Sequence, residues 1–333
     1  MSLTYSFIIP VYNRPEEIQE LLESFVKQET TIPFEVVIVE DGSSISSASI
    51  VEDFKAQLDI AYFTKPNSGP GDSRNYGMSR AKGNYFIILD SDCILPPSYM
   101  EAMHSDLSQD YVDCFGGPDA ALDSFSNIQK AINYVMTSFL TTGGIRGGTK
   151  QVQNFQPRSF NMGLSKKAFE ASKGFGDIHP GEDPDLVLRL WSLGFKTRLL
   201  PEAFVYHKRR ISWSKFYTQV HKFGLVRPIL NKWHPGSGML TYWFPTLFLI
   251  GVLGSIVFAL LGFKIFLLFF LLYCVILFAH SSILNKSLAV GLLSIFAMLI
   301  QFYGYGTGFL KSTVAVYWLG KLPRKRFPKL FFK

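Results

Sequence analysis

Four sets of side chains in this sequence have the types and spacing that chemistry needs. The first is Asp90 and Asp92, separated by one serine at the end of the apolar run YFIIL. In extended backbone, residues i and i+2 project to the same side, so two carboxylates there can hold one hard divalent cation and leave its other positions to water and phosphate oxygens. Acids beside a buried strand are costly without a partner, and a cation is a natural one. The second is Asp41 in Glu40-Asp41-Gly42-Ser43, which can accept hydrogen bonds from a nucleobase or ribose, or simply close an Asp-Gly turn. The third is Gly181-Glu182-Asp183-Pro184-Asp185. Pro184 fits a first helical position, which predicts Asp183 as the N-cap and Gly194 as the helix end. An ionised aspartate fixed at a helix start can also take a proton from an attacking hydroxyl. The fourth is His207, an imidazole after an apolar run, either structural or a metal ligand beside carboxylates. Arg74, opening a helix beside Gly69-Pro70-Gly71, has the planar fork that reads a phosphate or forms a surface ion pair.

Such groups act together only if the fold brings them to one place. Residues 5–9 read as a strand stopped by Pro10, and 16–27 as a helix with Ile18, Leu21, Leu22 and Phe25 on one face. Residues 35–39 read as a second strand, 61–64 as a weaker third, 72–81 as a helix and 85–89 as the central strand. This alternation predicts an α/β fold, a mainly parallel sheet flanked by helices. Ligands in such sheets sit beyond the carboxyl ends of the strands. Residues 10–13, Asp41 and Asp90–Asp92 each follow a strand and are expected to share one edge. The absence of Gly-x-Gly-x-x-Gly after the first strand, and of Gly-Lys-Ser/Thr, argues against dinucleotide redox and P-loop chemistry.

Charge divides the 333 residues sharply. The overall net charge is +7, yet Glu202 is the last acid; the 16 Lys and Arg beyond it leave 17 bases against 26 acids before it, a net of −9. The basic part is also the apolar part. Residues 241–262, 265–284 and 287–310 are each about 20 residues or longer without interior charge, enough to cross a hydrocarbon core of ~30 Å. The expected anionic partner is therefore a membrane and not nucleic acid. Residues 5–10 already read as a strand, so no signal peptide is expected ahead of them. Cys93, Cys114 and Cys274 have no paired spacing, which supports neither a disulfide framework nor a zinc site and suits a reducing cytosol. The basic flanks 208–232 and 311–333 both favour the cytosolic side, whereas three full crossings would separate them. One apolar segment is accordingly expected to be re-entrant or interfacial, with the glycine-rich, aromatic residues 303–309 forming an interfacial end. Residues 211–240 mix Trp213, Phe216, Tyr217, Phe223 and Trp233 with bases, a composition suited to the membrane interface. The domain expectation is 1–208 as the soluble domain, 209–240 as an interfacial amphipathic segment, 241–310 as the membrane region and 311–333 as a basic tail.

In this order the motifs resemble the family 2 glycosyltransferases, nucleotide-sugar-dependent inverting enzymes with a GT-A fold. The matching stretches are SFIIPVYNR, VVIVEDGSS, SGPGDSRNYGMSRAKGNYFIILDSDC, Asn161-Met162-Gly163 and GEDPDLVLRLWSLGFKTRLLPEAFVYH, within residues 4–232. The resemblance implies that Pro10, Tyr12, Arg14, Asp41, Arg74 and Asp90 bind a nucleotide-diphosphate sugar, with a UDP-sugar expected. It implies Asp90, Asp92 and His207 as ligands of Mn2+ or Mg2+, Asp183 as the catalytic base, and Asn161, Met162 and Glu182 on the acceptor side. Residues 219–224 resemble the Gln-x-x-Arg-aromatic motif of membrane-bound members, with Gln219 kept and Lys222 in place of arginine, which cannot make a planar bidentate contact. A site held at the membrane surface by residues 211–240 suggests a lipid-linked or saccharide acceptor, at the cytosolic face of a bacterial inner membrane, in polysaccharide or glycolipid synthesis. Residues 89–95 also resemble the first motif of haloacid-dehalogenase-type phosphatases, with Asp90 as nucleophile, although that leaves residues 10–14 and Asp41 unexplained. A catalytically silent membrane scaffold is a third possibility.

Overall fold

The computed structural model describes residues 2–120, 125–143, 155–207 and 212–332. In chain order the elements begin β1 (Tyr5–Val11), α1 (Pro15–Val26), β2 (Phe34–Asp41), α2 (Ala48–Phe54), β3 (Ile60–Lys65), α3 (Pro70–Met78) and β4 (Tyr85–Leu89). They continue β5 (Cys93–Ile94), α4 (Tyr99–Gln109), β6 (Cys114–Gly116), β7 (Asp119–Ala120), α5 (Asn127–Thr137), α6 (Phe139–Thr142), β8 (Asn161–Ser165), α7 (Lys166–Ser172) and α8 (Glu182–Ser192). The last are β9 (Thr197–Leu199), β10 (Val205–His207), α9 (Trp213–Trp233), α10 (Phe244–Leu260), α11 (Ile265–Leu284), α12 (Leu288–Thr313) and α13 (Pro323–Arg326).

The chain divides into two compact units, Met1–Leu122 with Thr149–Lys208 and Phe331–Lys333, and Asp123–Gly148 with Arg209–Leu330. The first is the expected α/β unit. Its seven-stranded sheet has the order β3-β2-β1-β4-β8-β6-β9. β1 runs parallel to both β2 and β4, β2 parallel to β3, and β8 antiparallel to β4 and β6. A smaller sheet has the order β5-β10-β7. The inner strands β1, β2 and β4 each hold a run of apolar residues, FII, VVIV and YFIIL, because both faces of the sheet are covered. One face buries Phe7, Ile9 and Ile87 against Ile18, Leu21, Leu22 and Phe25 of α1. The other buries Ile8, Ile88, Met162 and Leu164 against Leu186, Val187 and Leu190 of α8.

Pro10 does not stop the first strand. β1 pairs with β4 only as far as Ile8↔Ile88, but with β2 as far as Val11↔Glu40. Beyond Ile8 one flank of β1 has no neighbouring strand, and a residue without an N–H is tolerated there. The ends of β1, β2, β3 and β4 lie on one edge of the sheet, as parallel register requires.

The second unit is helical. Three of its segments, Leu240–Leu260, Ile265–Leu284 and Leu288–Trp318, are long and apolar enough to cross a membrane. α10 and α11 leave most of their apolar side chains uncovered, including Leu247, Ile250, Leu268 and Phe269. Residues 303–309, expected at an interfacial end, lie inside α12. Their glycines serve close packing. A side chain at Gly308 would collide with the backbone of His221, and one at Gly224 with the backbone of Tyr305, so α9 and α12 approach backbone to backbone. Phe216 and Val220 of α9 are accordingly buried with Met298 and Phe302 of α12. Residues 123–148, expected with the soluble domain, belong to this unit because Ile132 and Val135 of α5 enter the same core.

Candidate active site

The ends of β1, β2 and β4 and the loops that follow them put Pro10, Tyr12, Arg14, Asp41, Asp90 and Asp92 along the carboxyl edge of the sheet of the first unit. Asn13, after β1, adopts a left-handed backbone (φ 54°), a conformation asparagine tolerates better than most residues. Its N–H donates to Ser43 Oγ (2.8 Å), and its Oδ1 accepts the N–H groups of Ser44 (2.8 Å) and Ile45 (3.0 Å), joining the first loop to the second. Tyr12 beside it is exposed, and Pro10 half-buried.

Asp41 ends β2 and is buried. Its Oδ1 accepts from Lys65 Nζ (3.0 Å) and the Ser68 N–H (2.9 Å), and its Oδ2 from the Gly69 N–H (2.9 Å). The carboxylate thus shapes the turn between β3 and α3.

Asp90 and Asp92 follow β4 and remain partly open to solvent. Arg74 Nη2 donates to Asp90 Oδ1 at 2.7 Å, and Arg14 Nη1 lies 3.7 Å from Asp92 Oδ2. Arg14 is fixed by the buried Glu17, donating to both of its oxygens at 3.0 and 2.8 Å, while Ser91 Oγ donates to Glu17 Oε2 at 3.2 Å. Among the described residues, no three His, Cys, Asp or Glu side chains come together as a metal site. Two partly exposed carboxylates fit a hard divalent cation that draws its remaining oxygens from water and a ligand, and do not fit an all-protein cage. The backbone of His207 pairs opposite Cys93, one residue from Asp92; its side chain lies outside the described residues.

Arg74 is buried inside the unit and is not a surface residue. Besides Asp90 it binds Glu182, with Nη1 3.2 Å from Oε1, and its guanidinium stacks 5.3 Å from the Phe175 ring. One side chain thereby ties the turn after β4 to the start of α8. That start differs from expectation: Gly181 (φ 121°) is the N-cap, and Asp183 the second residue of the helix. Pro184 is tolerated at the third position because the first four N–H groups of a helix have no intrahelical partner. Gly194 takes the left-handed conformation just past the C-cap Leu193, as expected.

The adjacent Glu182 and Asp183 are driven in opposite directions. Burial works against ionisation of Glu182, but a hydrogen bond and the charge of His179 (Nδ1 to Oε1, 2.9 Å), together with Arg74, outweigh it and hold the carboxyl well below the usual range. Burial raises the pKa of Asp183, and the charge of Glu182 raises it further, against the pull of Arg74, Arg158 and Ser159. Asp183 Oδ1 is buried without a hydrogen-bond partner among the described residues. An aspartate in that state holds a proton more strongly than usual, as a general base should.

The expected acceptor-side residues Asn161 and Met162, on β8 next to the central β4, are fully buried. Asn161 is consumed by internal bonds, accepting from Tyr99 OH (2.7 Å) and donating to Ala203 O (2.8 Å), so neither side chain is free to meet a ligand. Gln219 and Lys222 lie on α9 of the helical unit, the first exposed and the second half-buried. Sequence reasoning missed Glu17, Lys65 and His179. The signal for Glu17 was an acid four residues before Leu21, on the apolar face of a helix.

Residues 6–171 match the family model described as glycosyl transferase family 2. These residues are a glycosyl transferase family 2 domain. That match includes Asp90 and Asp92, so the phosphatase reading of this turn is set aside. The chondroitin synthase of Escherichia coli is 26% identical over 235 residues, covering 61% of this chain and 34% of that protein. TarS of Staphylococcus aureus, a poly(ribitol-phosphate) beta-N-acetylglucosaminyltransferase, is 37% identical over 93 residues, 27% of this chain and 16% of TarS. These matches thus span about a third or less of the relatives' length. Among solved structures, the mannosyltransferase PcManGT of Pyrobaculum calidifontis, in complex with GDP-Man and Mn2+, superposes with a TM-score of 0.58 at 14% identity, over 93% of this chain and 88% of that one. S. aureus TarS 1-349 in complex with UDP gives 0.50 at 18% identity, over 96% and 92%. Both share the GT-A-like fold.

Proposed function

We propose that this protein is a membrane-bound inverting glycosyltransferase that moves a sugar from a nucleotide diphosphate, a UDP-sugar first among candidates, to a hydroxyl of a lipid-linked saccharide. The observation that carries the reading is the chain Asp90–Arg74–Glu182, which links the two acidic motifs on one side of the sheet, beside an Asp183 whose proton affinity is raised. Asp183 takes the proton of the acceptor hydroxyl. The oxygen attacks the anomeric carbon while the bond to the diphosphate breaks on the opposite face, so the configuration inverts and no covalent enzyme intermediate is needed. Glu182, ionised beside it, keeps Asp183 basic. The turn that Asp41 shapes and the loop after β1 orient the nucleotide, and Arg14 the diphosphate side. A Mn2+ or Mg2+ ion held by Asp90 and Asp92, with His207 as a further ligand, supplies positive charge to the departing diphosphate when bound. Lys222, with Gln219 on the same helix, acts as a point charge toward phosphate.

Three apolar helices and the absence of any acid after Glu202 support a membrane location, with the α/β unit on the cytosolic face of a bacterial inner membrane. The names of the relatives support polysaccharide synthesis as the setting. The test is a panel of nucleotide sugars incubated with purified full-length protein and Mn2+, with and without lipid extract, measuring released nucleotide diphosphate. Release from one donor, stimulated by lipid, is expected. No release from any donor, with no nucleotide diphosphate bound, would leave a silent scaffold in its place.

A further inference from the structure

The turn that delivers Glu182 and Asp183 has little regular structure of its own, and it is held from two sides. On the inner side, Asn75 of α3 brackets Phe175, donating to its carbonyl and accepting its N–H, both at 2.8 Å. On the outer side lies a short strap from a distant part of the sequence, Phe331 and Phe332, which belongs to the α/β unit. Phe331 forms an antiparallel bridge with Ile178, and the Phe332 N–H donates to Asp177 O at 3.0 Å. The Phe332 ring packs against Gly69, where any Cβ would strike it, and stands 5.7 Å from the His179 ring. Asp177, Ile178, His179 and Phe332 line a cavity of about 200 Å³ together with Asn75 and Phe175. His179 in turn binds the same Glu182 oxygen that Arg74 holds. A histidine–carboxylate contact open to water would contribute little. With an aromatic ring packed beside the imidazole, its orientation is restricted and the contact partly shielded.

We propose that Phe332 and His179 are positioning residues for the transfer reaction, the strap fixing the imidazole that sets Glu182 and hence the placement of Asp183. This rests on Asp183 being the base. It also gives Gly69 a reason beyond its turn (φ 92°), since the ring needs the space that glycine leaves. Neither residue touches the reacting atoms, so the loss on mutation falls on turnover and not on donor affinity.

The test uses full-length protein in detergent with the donor found in the panel above. Phe332→Ala is expected to lower kcat ~10-fold or more with donor KM within ~2-fold, the pattern of a displaced catalytic group. Phe332→Tyr should restore most of it. His179→Ala should match Phe332→Ala, and the double variant should lose no more than either alone, because both act through one chain of contacts. Losses that multiply, or an unchanged kcat in Phe332→Ala, overturn the proposal. Hydrogen exchange separates this from failure of the enzymatic reading. Without donor, Phe332→Ala should speed exchange of the amides of 177–182 by ~10-fold, and unchanged exchange there overturns the strap whatever the activity. If Phe332→Ala does not fold, Phe332→Leu, which keeps an apolar contact but no ring, is measured at the same amides with the same two outcomes.

Discussion

The two acidic turns of the α/β unit treat carboxylates in opposite ways. After β4, Asp90 and Asp92 stand partly in water, each near one arginine, with solvent access that leaves room for a further cation. At the start of α8, Glu182 is buried and committed to His179 and Arg74, while the neighbouring Asp183 keeps a buried oxygen without a hydrogen-bond partner among the described residues. One turn is suited to receive a charged ligand and release it. The other fixes one charge to tune the next, and such offsetting of neighbouring proton affinities is a mark of acid–base sites. Arg74 belongs to both, which makes it the residue whose loss should blur the distinction.

The largest effect should come from the tuned turn. Asp183→Asn keeps shape and removes the base, so kcat should fall ~10²–10⁴-fold with nucleotide binding intact. Steady-state assays beside nucleotide titration check this. Turnover within a few-fold of wild type would reject the base assignment and leave Asp183 a helix-start residue only. Arg74→Met comes next. It strands Glu182 without its buried partner, and such breaks cost about 3–5 kcal/mol, with the Asp90 contact adding little because that carboxylate is a third exposed. Thermal unfolding of the detergent-solubilised protein measures it; an unchanged midpoint would mean that the two turns are independent. Asp92→Ala acts on the partly exposed turn alone. It should weaken Mn2+-dependent nucleotide-diphosphate binding by ~10–100-fold, as loss of a metal-site group commonly does, and leave the folded stability nearly unchanged. Equal binding with and without Mn2+ in the wild type would remove the metal from the account.

Much of this contrast was legible in the sequence, for physical reasons that also mark where legibility ends. Apolar runs ending in acids located β2, β4 and the shared edge, because a strand buried on both faces admits few other sequences. Helix boundaries were less secure. Pro184 suggested a start two residues too late, since proline is tolerated anywhere in the first turn. The glycines of residues 303–309, expected at an interfacial end, form a packing face against α9, a role that depends on α9 and cannot be seen locally. Asn161 looked available because polarity is visible in sequence and burial is not. His179 was passed over for the same reason: its meaning lies in Glu182, three residues on, and in Phe332, far away in the chain.

The smallest predicted effect is one of pH, and it separates the two neighbours within a single turn. Glu182 has a lowered pKa in the folded protein, so its ionisation stabilises the fold above the ordinary glutamate range and that contribution is lost as pH falls through the folded value. Asp183 has a raised one, so the folded state binds its proton more tightly than the unfolded chain does. Its ionisation therefore opposes folding at neutral pH, and the opposition fades as pH falls through the raised value. Acidification should thus reduce transfer before it reduces stability: the base takes up its proton first, while Glu182 is still charged. Asp183→Asn removes the opposing charge and should hold or raise the unfolding midpoint at neutral pH relative to wild type, with the difference shrinking in mild acid. A midpoint that falls in Asp183→Asn, equally at all pH values, would mean that Asp183 is ionised without strain, and the contrast between the two turns would then reduce to one of exposure alone.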